Sequence, residues 1–287
     1  MRIDSHQHFW NYDPARDTWI DDRMSVLKRD FAPADLSPEL AANQIDGSIA
    51  VQAGQSEHET EFLLDLASRH QFIKGVVGWV DLLAPNLRER LQHFSRFPKL
   101  RGFRHVAQSE PDDGFLARED FVRGVAQLTE FGFTYDILIY ARQLPAAIVL
   151  AERLPNQPFV LDHIAKPDIH SGEFSKWSVG IRALAEHPNV YCKLSGLITE
   201  ADWKSWHPHD FRKYLHAVLE AFGPDRLMFG SDWPVCLLAG SYAQVKQLIA
   251  DAVNDWPSRD KDKVFGENAM RFYSLQQGEP SGPSTSR

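Results

Sequence analysis

The feature that most constrains the fold is an alternation of two patterns along almost the whole chain. Eight short runs rich in β-branched and aromatic residues, which predict strands, are each followed by a segment with helical periodicity. The runs begin about 25 to 45 residues apart, which is the length of one strand–helix unit in a parallel sheet. The predicted strands are Arg2–Phe9, Gly47–Ala53, Ile73–Asp81, Leu100–Val106, Thr134–Tyr140, Phe159–Ile164, Val190–Leu194 and Arg226–Ser231.

The segments between these runs carry the signals of helix ends. Gly132 and Gly223 each follow a periodic segment, and glycine is common just past the end of a helix. The predicted helices are Glu57–His70, Ala84–Phe94, Asp120–Phe131, Leu144–Leu154, Trp177–His187, His209–Phe222, Tyr242–Asn254 and Lys261–Tyr273. The segment Asn11–Pro33 predicts a long connection, of the kind that often covers the active site of a barrel.

Eight such units in 287 residues predict an α/β protein whose strands close into a (β/α)8, or TIM, barrel. An open doubly wound sheet is the alternative, but it usually has a glycine-rich turn after its first strand. Here that strand ends in His6-Gln7-His8-Phe9-Trp10, without glycine. We therefore expect a single domain over residues 1–275 and a disordered tail over residues 276–287, which are rich in Gly, Pro and Ser.

Composition narrows the possible partners. The chain has 31 basic and 39 acidic residues and a formal charge of −8, which disfavours binding to nucleic acid or to an anionic membrane. No run of about 18 apolar residues predicts a membrane span, and no apolar segment at the N-terminus predicts a secretory signal. The two cysteines, Cys192 and Cys236, fit a reducing, cytoplasmic setting.

Two motifs that lie far apart in the sequence should meet in a closed barrel. His6 and His8 lie two residues apart on the first predicted strand, so their side chains point to the same side. Asp232 follows the last strand, which pairs with the first when the barrel closes. Active sites of such barrels lie at the carboxyl ends of the strands. The three residues together predict a carboxylate–histidine site.

Two further strand ends offer candidate residues. His163 follows the sixth strand and is either a third histidine of the site or a hydrogen-bonded core residue. Arg104 and His105 end the fourth strand, and adjacent strand residues face opposite sides. Spacing does not decide which of the two faces the barrel mouth.

Six sequence blocks, in order along the chain, resemble the amidohydrolase superfamily. Within it they are similar to the amidohydrolase-2 branch, which includes lactonases of the L-fuconate and L-rhamnonate type. The blocks are Asp4-Ser5-His6-Gln7-His8-Phe9-Trp10, Gly78-Trp79-Val80-Asp81, Arg101-Gly102-Phe103-Arg104-His105, Asp162-His163-Ile164-Ala165-Lys166-Pro167, Lys193-Leu194-Ser195-Gly196-Leu197 and Phe229-Gly230-Ser231-Asp232-Trp233-Pro234. The resemblance implies a TIM barrel of the amidohydrolase type.

The resemblance also implies a metal site. Its ligands would be His6, His8, His163 and Asp232, holding one divalent ion, Zn²⁺ being the best match. The binuclear sites of the superfamily use a further histidine from the fifth strand, and no histidine lies between His105 and His163. Some lactonases of this branch act without a metal, so a bound ion is not necessarily required. No organic cofactor is implied.

The implied activity is hydrolysis of a sugar-acid lactone to the aldonate in carbohydrate catabolism, with L-fucono-1,5-lactone, and hence L-fucose degradation, as the best match. Asp232 would be the general base for water. Arg104, His105 or a metal would stabilise the oxyanion, and protonated Asp232 or His163 would return the proton to the leaving oxygen.

The predicted substrate-binding residues lie at strand ends or in the long connection. They are the aromatic Trp10, Trp19 and Trp79, whose faces suit a sugar ring, and the polar Gln52, Asp81 and Lys166, which could bind hydroxyl groups. Few arginines lie at strand ends, which favours a neutral lactone over a carboxylated one. Three alternatives remain: a metal-dependent decarboxylase, a lactonase for a pyrone or muconolactone-like substrate, and a non-catalytic sugar-binding protein. The oligomeric state is not indicated.

Overall fold

Eight parallel strands pair with one another in the order in which they occur along the chain. The computed structural model describes residues 1–275, so the predicted disordered tail lies outside the described residues. The strands are β1 (Ile3–Gln7), β2 (Gly47–Val51), β3 (Ile73–Gly78), β4 (Leu100–His105), β5 (Thr134–Ile137), β6 (Phe159–Leu161), β7 (Val190–Leu194) and β8 (Leu227–Phe229). The predicted strand order and barrel class are confirmed.

The ring of strands closes at the carboxyl ends of β1 and β8. A parallel bridge joins Gln7 to Trp233. The His8 amide donates to the Trp233 carbonyl at 2.7 Å, and the Asp232 amide donates to the His6 carbonyl at 2.8 Å. The hydrogen bonds that close the barrel therefore come from the residues that the sequence predicts to share a site.

Helices pack around the outside of the strands. They are α1 (Pro33–Ala42), α2 (Glu57–Arg69), α3 (Leu87–Phe94), α4 (Glu119–Glu130), α5 (Leu144–Arg153), α6 (Ser175–Ala185), α7 (Pro208–Phe222), α8 (Tyr242–Ala252), α9 (Ser258–Asp262) and α10 (Asn268–Phe272). None of the helices within residues 1–275 is both long enough and apolar enough to cross a membrane.

The helix predictions need two corrections. Helix α1 has no counterpart among the predicted helices, and it contains Pro38 in its interior, where proline is disfavoured. The helix predicted over Lys261–Tyr273 is divided into α9 and α10, since Gly266 takes a non-helical conformation between them. The Cβ of any other residue at Gly266 would lie 2.0 Å from the carbonyl oxygen of Met1, so this position requires glycine.

An irregularity in β1 turns its histidines into the barrel. Ile3 packs in the barrel interior, so strict alternation would also send Ser5 and Gln7 inward. The register against β2 instead shifts by one residue between Asp4 and Gln7. Beyond the shift, His6 and His8 face the interior and Gln7 faces outward, where its side-chain amide donates to Ser48 Oγ at 3.1 Å.

A second cluster of apolar side chains lies in the barrel interior and joins it to the last described segment of the chain, and we call this cluster the barrel floor. The floor combines strand residues with the last described segment of the chain. Its members are Ile3, Ile49, Val51, Val77, Val160, Met228, Ala269, Phe272, Tyr273 and Leu275. The segment around α10 therefore closes the barrel from below.

Candidate active site

His6, His8 and Asp232 meet at the carboxyl ends of β1 and β8, as their spacing predicted. The His8 Nδ1 atom lies 2.8 Å from the Val51 carbonyl oxygen, which can only accept a hydrogen bond, so Nδ1 carries the proton. That tautomer leaves a lone pair on Nε2, which lies 3.2 Å from His6 Nε2 and 3.4 Å from Asp232 Oδ1. His6 Nε2 lies 3.8 Å from the same oxygen.

His163 joins this group from β6. Its Nε2 lies 3.9 Å from Asp232 Oδ1, and its Nδ1 lies 2.9 Å from Ser195 Oγ. The ring packs so closely on Gly196 that a Cβ there would lie 2.5 Å from His163 Nδ1. His163 is therefore part of the cluster rather than an isolated core histidine.

The backbone around these groups is strained. Four consecutive residues, His163, Ile164, Ala165 and Lys166, have φ values of 52°, 49°, 60° and 44°, and Asp232 has a φ of 57°. The left-handed conformation costs roughly 1–2 kcal/mol per non-glycine residue. Strain of this kind persists where the surrounding structure imposes it, and it is concentrated at functional sites.

A set of buried charges, of which only Arg104 was among the predicted site residues, lies beneath the histidines. The Asp162 carboxylate accepts from Arg104 Nη1 at 3.0 Å through Oδ2, and its Oδ1 lies 3.0 Å from Lys193 Nζ. The same Oδ1 lies 3.3 Å from His6 Nδ1. Lys193 Nζ also donates to Asp136 Oδ2 at 2.5 Å, and the Tyr273 hydroxyl donates to that oxygen at 2.8 Å.

We call Arg104, Lys193, Asp136 and Asp162 the charged layer. All four side chains are buried, and two cations face two carboxylates, so the layer has no net charge when all are ionised. It connects Tyr273 of the floor to His6 of the site. A signal for the layer was present in the sequence, since Asp136 and Lys193 interrupt otherwise apolar strands.

Burial and neighbouring charges set the protonation of the site. Burial lowers the pKa of His163 to about 4 and that of His6 well below its usual value. Burial alone would raise the pKa of Asp232, but the positive charge that the neighbouring His163, His6 and His8 can carry holds it below its ordinary range. At neutral pH the site thus combines neutral imidazoles of His6 and His163 with an ionised carboxylate.

Of the two candidates that end β4, Arg104 joins the cluster and His105 does not. Arg104 Nη1 lies 3.3 Å from His6 Nε2, and its other terminal nitrogen donates to the Gln52 carbonyl. His105 points to the helix layer, where its ring stacks on Phe115 with centroids 5.0 Å apart. Its Nε2 lies 2.7 Å from Glu110 Oε1. The alternation of side chains along β4 accounts for the opposite directions.

The predicted substrate-binding aromatic residues differ in their surroundings. Trp10 is buried beside His8, with ring centroids 6.5 Å apart, and its indole donates to the Arg29 carbonyl at 2.9 Å. Trp19, in the long connection, packs edge-on against Trp10 and is 42% exposed. Trp79 is half-buried, and its backbone exchanges hydrogen bonds with the Thr60 hydroxyl.

The three predicted polar substrate-binding residues also differ in their surroundings. The buried Gln52 side chain donates to the Arg104 carbonyl at 3.0 Å, so it supports the charged layer. Asp81 is exposed and accepts from the Leu83 amide at 2.9 Å, which makes it a turn residue. Lys166 lies close to Glu200, a carboxylate that the sequence reasoning did not select.

Two overlapping sets of side chains have the spacing of metal ligands. One consists of His6, His8 and Asp232, and the other of His6, Asp162 and His163, with the ligand atoms of each set within 4.8 Å of one another. Asp162 already contacts two cations of the charged layer, which leaves the first set better suited to an ion. Neutral imidazoles and an ionised carboxylate are the ligands that Zn²⁺ prefers.

Similarity to known proteins covers nearly the whole chain. The family model described as Amidohydrolase matches residues 3–275. The chain is 46% identical to an L-fucono-1,5-lactonase of Burkholderia multivorans, over 96% of this chain and 97% of that protein. It is 38% identical to an L-fucono-1,5-lactonase of Burkholderia ambifaria, over 98% of both chains.

A solved structure supports the same relationship. The crystal structure of an amidohydrolase from Burkholderia multivorans with bound zinc is 45% identical in sequence and superposes with a TM-score of 0.93. The match covers 96% of this chain and 100% of that chain. The overall fold is thus similar to that of a protein whose crystal structure contains zinc.

Proposed function

The chain belongs to the amidohydrolase family, and we propose that it opens a sugar-acid lactone, L-fucono-1,5-lactone in the first instance, to the aldonate. The observation that carries this proposal is the ionised carboxylate of Asp232 facing the imidazoles of His6, His8 and His163 at the barrel mouth. Hydrolysis of a lactone needs an acceptor for the proton of water, and this carboxylate is in the form that accepts one.

Asp232 would act twice. It takes a proton from the attacking water and then returns it to the alkoxide that leaves when the ring opens. Because burial keeps His163 neutral at ordinary pH, we assign the proton return to Asp232 and a substrate-orienting role to His163. General acid–base catalysis of this kind contributes about 10² to 10⁴ in rate.

Arg104 is the residue to which we assign stabilisation of the oxyanion. Asp162 and the Gln52 carbonyl hold its guanidinium beside His6, so its positive charge is oriented before the substrate arrives. We assign no catalytic role to His105, since its imidazole lies against Glu110 and Phe115.

The site also fits one Zn²⁺ ion. His6 Nε2, His8 Nε2 and Asp232 Oδ1 would hold it, with His163 as a further ligand. When bound, such an ion would polarise the lactone carbonyl as a Lewis acid. The Val51 carbonyl and Asp162 each contact the Nδ1 atom of one histidine, an arrangement that commonly orients metal-binding imidazoles.

The charges around the mouth favour a neutral substrate. Arg104 is committed to Asp162, and Arg142 pairs with Asp113 at 2.8 Å. A substrate with two carboxylates would need a guanidinium group free to bind each of them through two hydrogen bonds, whereas both arginines already pair with a carboxylate of the protein. A neutral lactone fits better than a pyrone dicarboxylate. A role in L-fucose degradation and the cytoplasmic location stay predictions.

The decisive experiment is a pH-indicator assay of proton release with lactones of L-fuconate, L-rhamnonate, arabinonate and galactonate, each with and without a chelator. We expect turnover with the fuconate lactone, and its loss in Asp232→Asn. The chelator arm measures whether the ion is needed for turnover. Absence of proton release with every lactone would overturn the proposal. Release of CO₂ from an aromatic acid would instead support a decarboxylase, and binding of a lactone without turnover would support a binding protein.

A further inference from the structure

Lys166 and Glu200 form a stretched ion pair at the carboxyl ends of neighbouring strands. Lys166 follows β6 and Glu200 follows β7, so both lie on the face of the barrel that carries Asp232. Lys166 Nζ is 3.8 Å from Glu200 Oε1, which is beyond hydrogen-bonding distance. Within residues 1–275 neither charged group has a hydrogen-bond partner, although the side chains are only 18% and 20% exposed.

The pair is electrostatically coupled to the active site. Burial raises the pKa of Glu200, and the charge of Asp232 raises it further while Lys166 opposes both. Burial lowers the pKa of His163, and the ammonium of Lys166 is among the charges that lower it further. The pair therefore lies within the electrostatic range of the proposed reaction centre.

The backbone on both sides of the pair is held in place. The Lys166 amide donates to the His163 carbonyl at 2.8 Å at the end of the left-handed turn. The Glu200 amide donates to the Leu197 carbonyl, and the Glu200 carbonyl accepts from the His170 amide, both at 3.1 Å. Fixed backbone of this kind suits a binding group, because little order is lost when a ligand arrives.

A simple structural ion pair would be expected to close. On the outer surface, Arg153 contacts Glu119 at 2.8 Å and Arg182 contacts Glu220 at 2.8 Å. A hydroxyl oxygen placed beside the two atoms, rather than between them, would accept from the ammonium and donate to the carboxylate, each at normal hydrogen-bond length.

We propose that Lys166 and Glu200 are a specificity-determining pair that binds a ring hydroxyl group of the lactone substrate. This inference rests on the proposed function and adds a reason for selectivity. A site whose charged groups are left unpaired by a substrate without that hydroxyl discriminates strongly against it. The enzyme should thus prefer polyhydroxylated lactones over unsubstituted ones of the same ring size.

The test compares L-fucono-1,5-lactone with δ-valerolactone, a six-membered lactone without hydroxyl groups. In Glu200→Gln and Lys166→Met, we expect kcat/KM for the sugar lactone to fall about 10- to 100-fold, mainly through KM. For δ-valerolactone it should stay within about two-fold of the wild type. The control is Glu119→Gln, which removes one partner of a surface pair on α4. Thermal denaturation verifies that each variant is folded.

The possible outcomes separate this inference from the proposed function. An equal loss for both lactones, or no loss for either, would overturn the role of the pair while leaving lactone hydrolysis intact. If the wild type hydrolyses neither lactone, the proposed function fails. In that case calorimetric titration with L-fuconate tests the pair by itself. Weaker binding in Glu200→Gln supports it, and unchanged or absent binding overturns it.

Discussion

The two ends of the barrel interior are both shielded from water, but they are built from opposite chemistry. At the floor, residues such as Val77, Val160 and Met228 fill the space with apolar contacts. At the mouth, His6, His163 and Asp232 place imidazoles and a carboxylate within 4 Å of one another. Apolar burial stabilises a fold without regard to partners, whereas each buried polar group must find one.

The charged layer lies between the two ends and makes that contrast possible. Lys193 contacts Asp136, which is held by Tyr273 from the floor, and also contacts Asp162, which reaches His6 of the mouth. Because cations and carboxylates alternate in this layer, the protein keeps charge next to the imidazoles without an unpaired ion. Substitutions in the floor should therefore change the free energy of unfolding, whereas substitutions at the mouth should change turnover.

The largest effect should follow from Asp232→Asn at the mouth. Loss of the proposed general base should lower kcat/KM for the lactone about 10³-fold. The variant should remain folded, because Asn has nearly the same shape as Asp and also accepts the left-handed backbone at this position. Initial rates and thermal denaturation measure the two effects. Asp65→Asn, on the outer face of α2 beside Arg69, is the control and should retain wild-type rates. Full activity in Asp232→Asn would remove the basis of the mechanism.

The Lys193→Met substitution should have the next largest effect, because Lys193 contacts carboxylates that connect to the floor and to the mouth. It leaves the Asp136 and Asp162 carboxylates buried next to an apolar side chain. Breaking a buried ion pair in this way costs about 3–5 kcal/mol of unfolding free energy. Urea denaturation measures the loss, with Lys176→Met on the exposed surface of α6 as the matched control. Equal stability of the two variants would show that the charged layer contributes no net free energy.

The Met228→Ala substitution alters the floor without changing a residue of the mouth. The side chain is fully buried among apolar neighbours, so truncation should cost about 3 kcal/mol of unfolding free energy through the cavity it leaves. In the folded fraction we expect kcat/KM to stay within about two-fold of the wild type, as measured by initial rates at low temperature. A large loss of turnover in folded protein would contradict the separation between floor and mouth.

Tyr273→Phe should have the smallest effect and tests the connection between the ends. It removes one donor to Asp136 but keeps the ring, so we expect a loss of about 1 kcal/mol of unfolding free energy. Urea denaturation measures it against Tyr191→Phe, whose hydroxyl contacts the exposed Arg271. A loss no larger than in the control would show that the contact between floor and charged layer is energetically neutral.

Several site residues could be predicted because they need only strand order and spacing. His6 and His8 share a side through their separation of two, and Asp232 reaches them because β8 closes on β1. Asp136, Asp162 and Lys193 were missed, since each is a single charge in or beside an apolar strand. Whether such a charge faces the barrel interior or the helices depends on the register of its strand, which the chain alone does not display.

The sequence by itself determined the eight strand–helix units, the barrel and the fact that the two histidines share one side of their strand, because these features can be recognised in short segments of the chain. The register shift in β1, which turns that side into the barrel, belongs to the tertiary structure. Only the tertiary structure decided that Arg104 rather than His105 faces the site, and that Lys166 stops short of Glu200. These outcomes depend on distances of a few ångströms between strands that are remote in sequence. Such distances are set by packing of the whole barrel and not by any single segment.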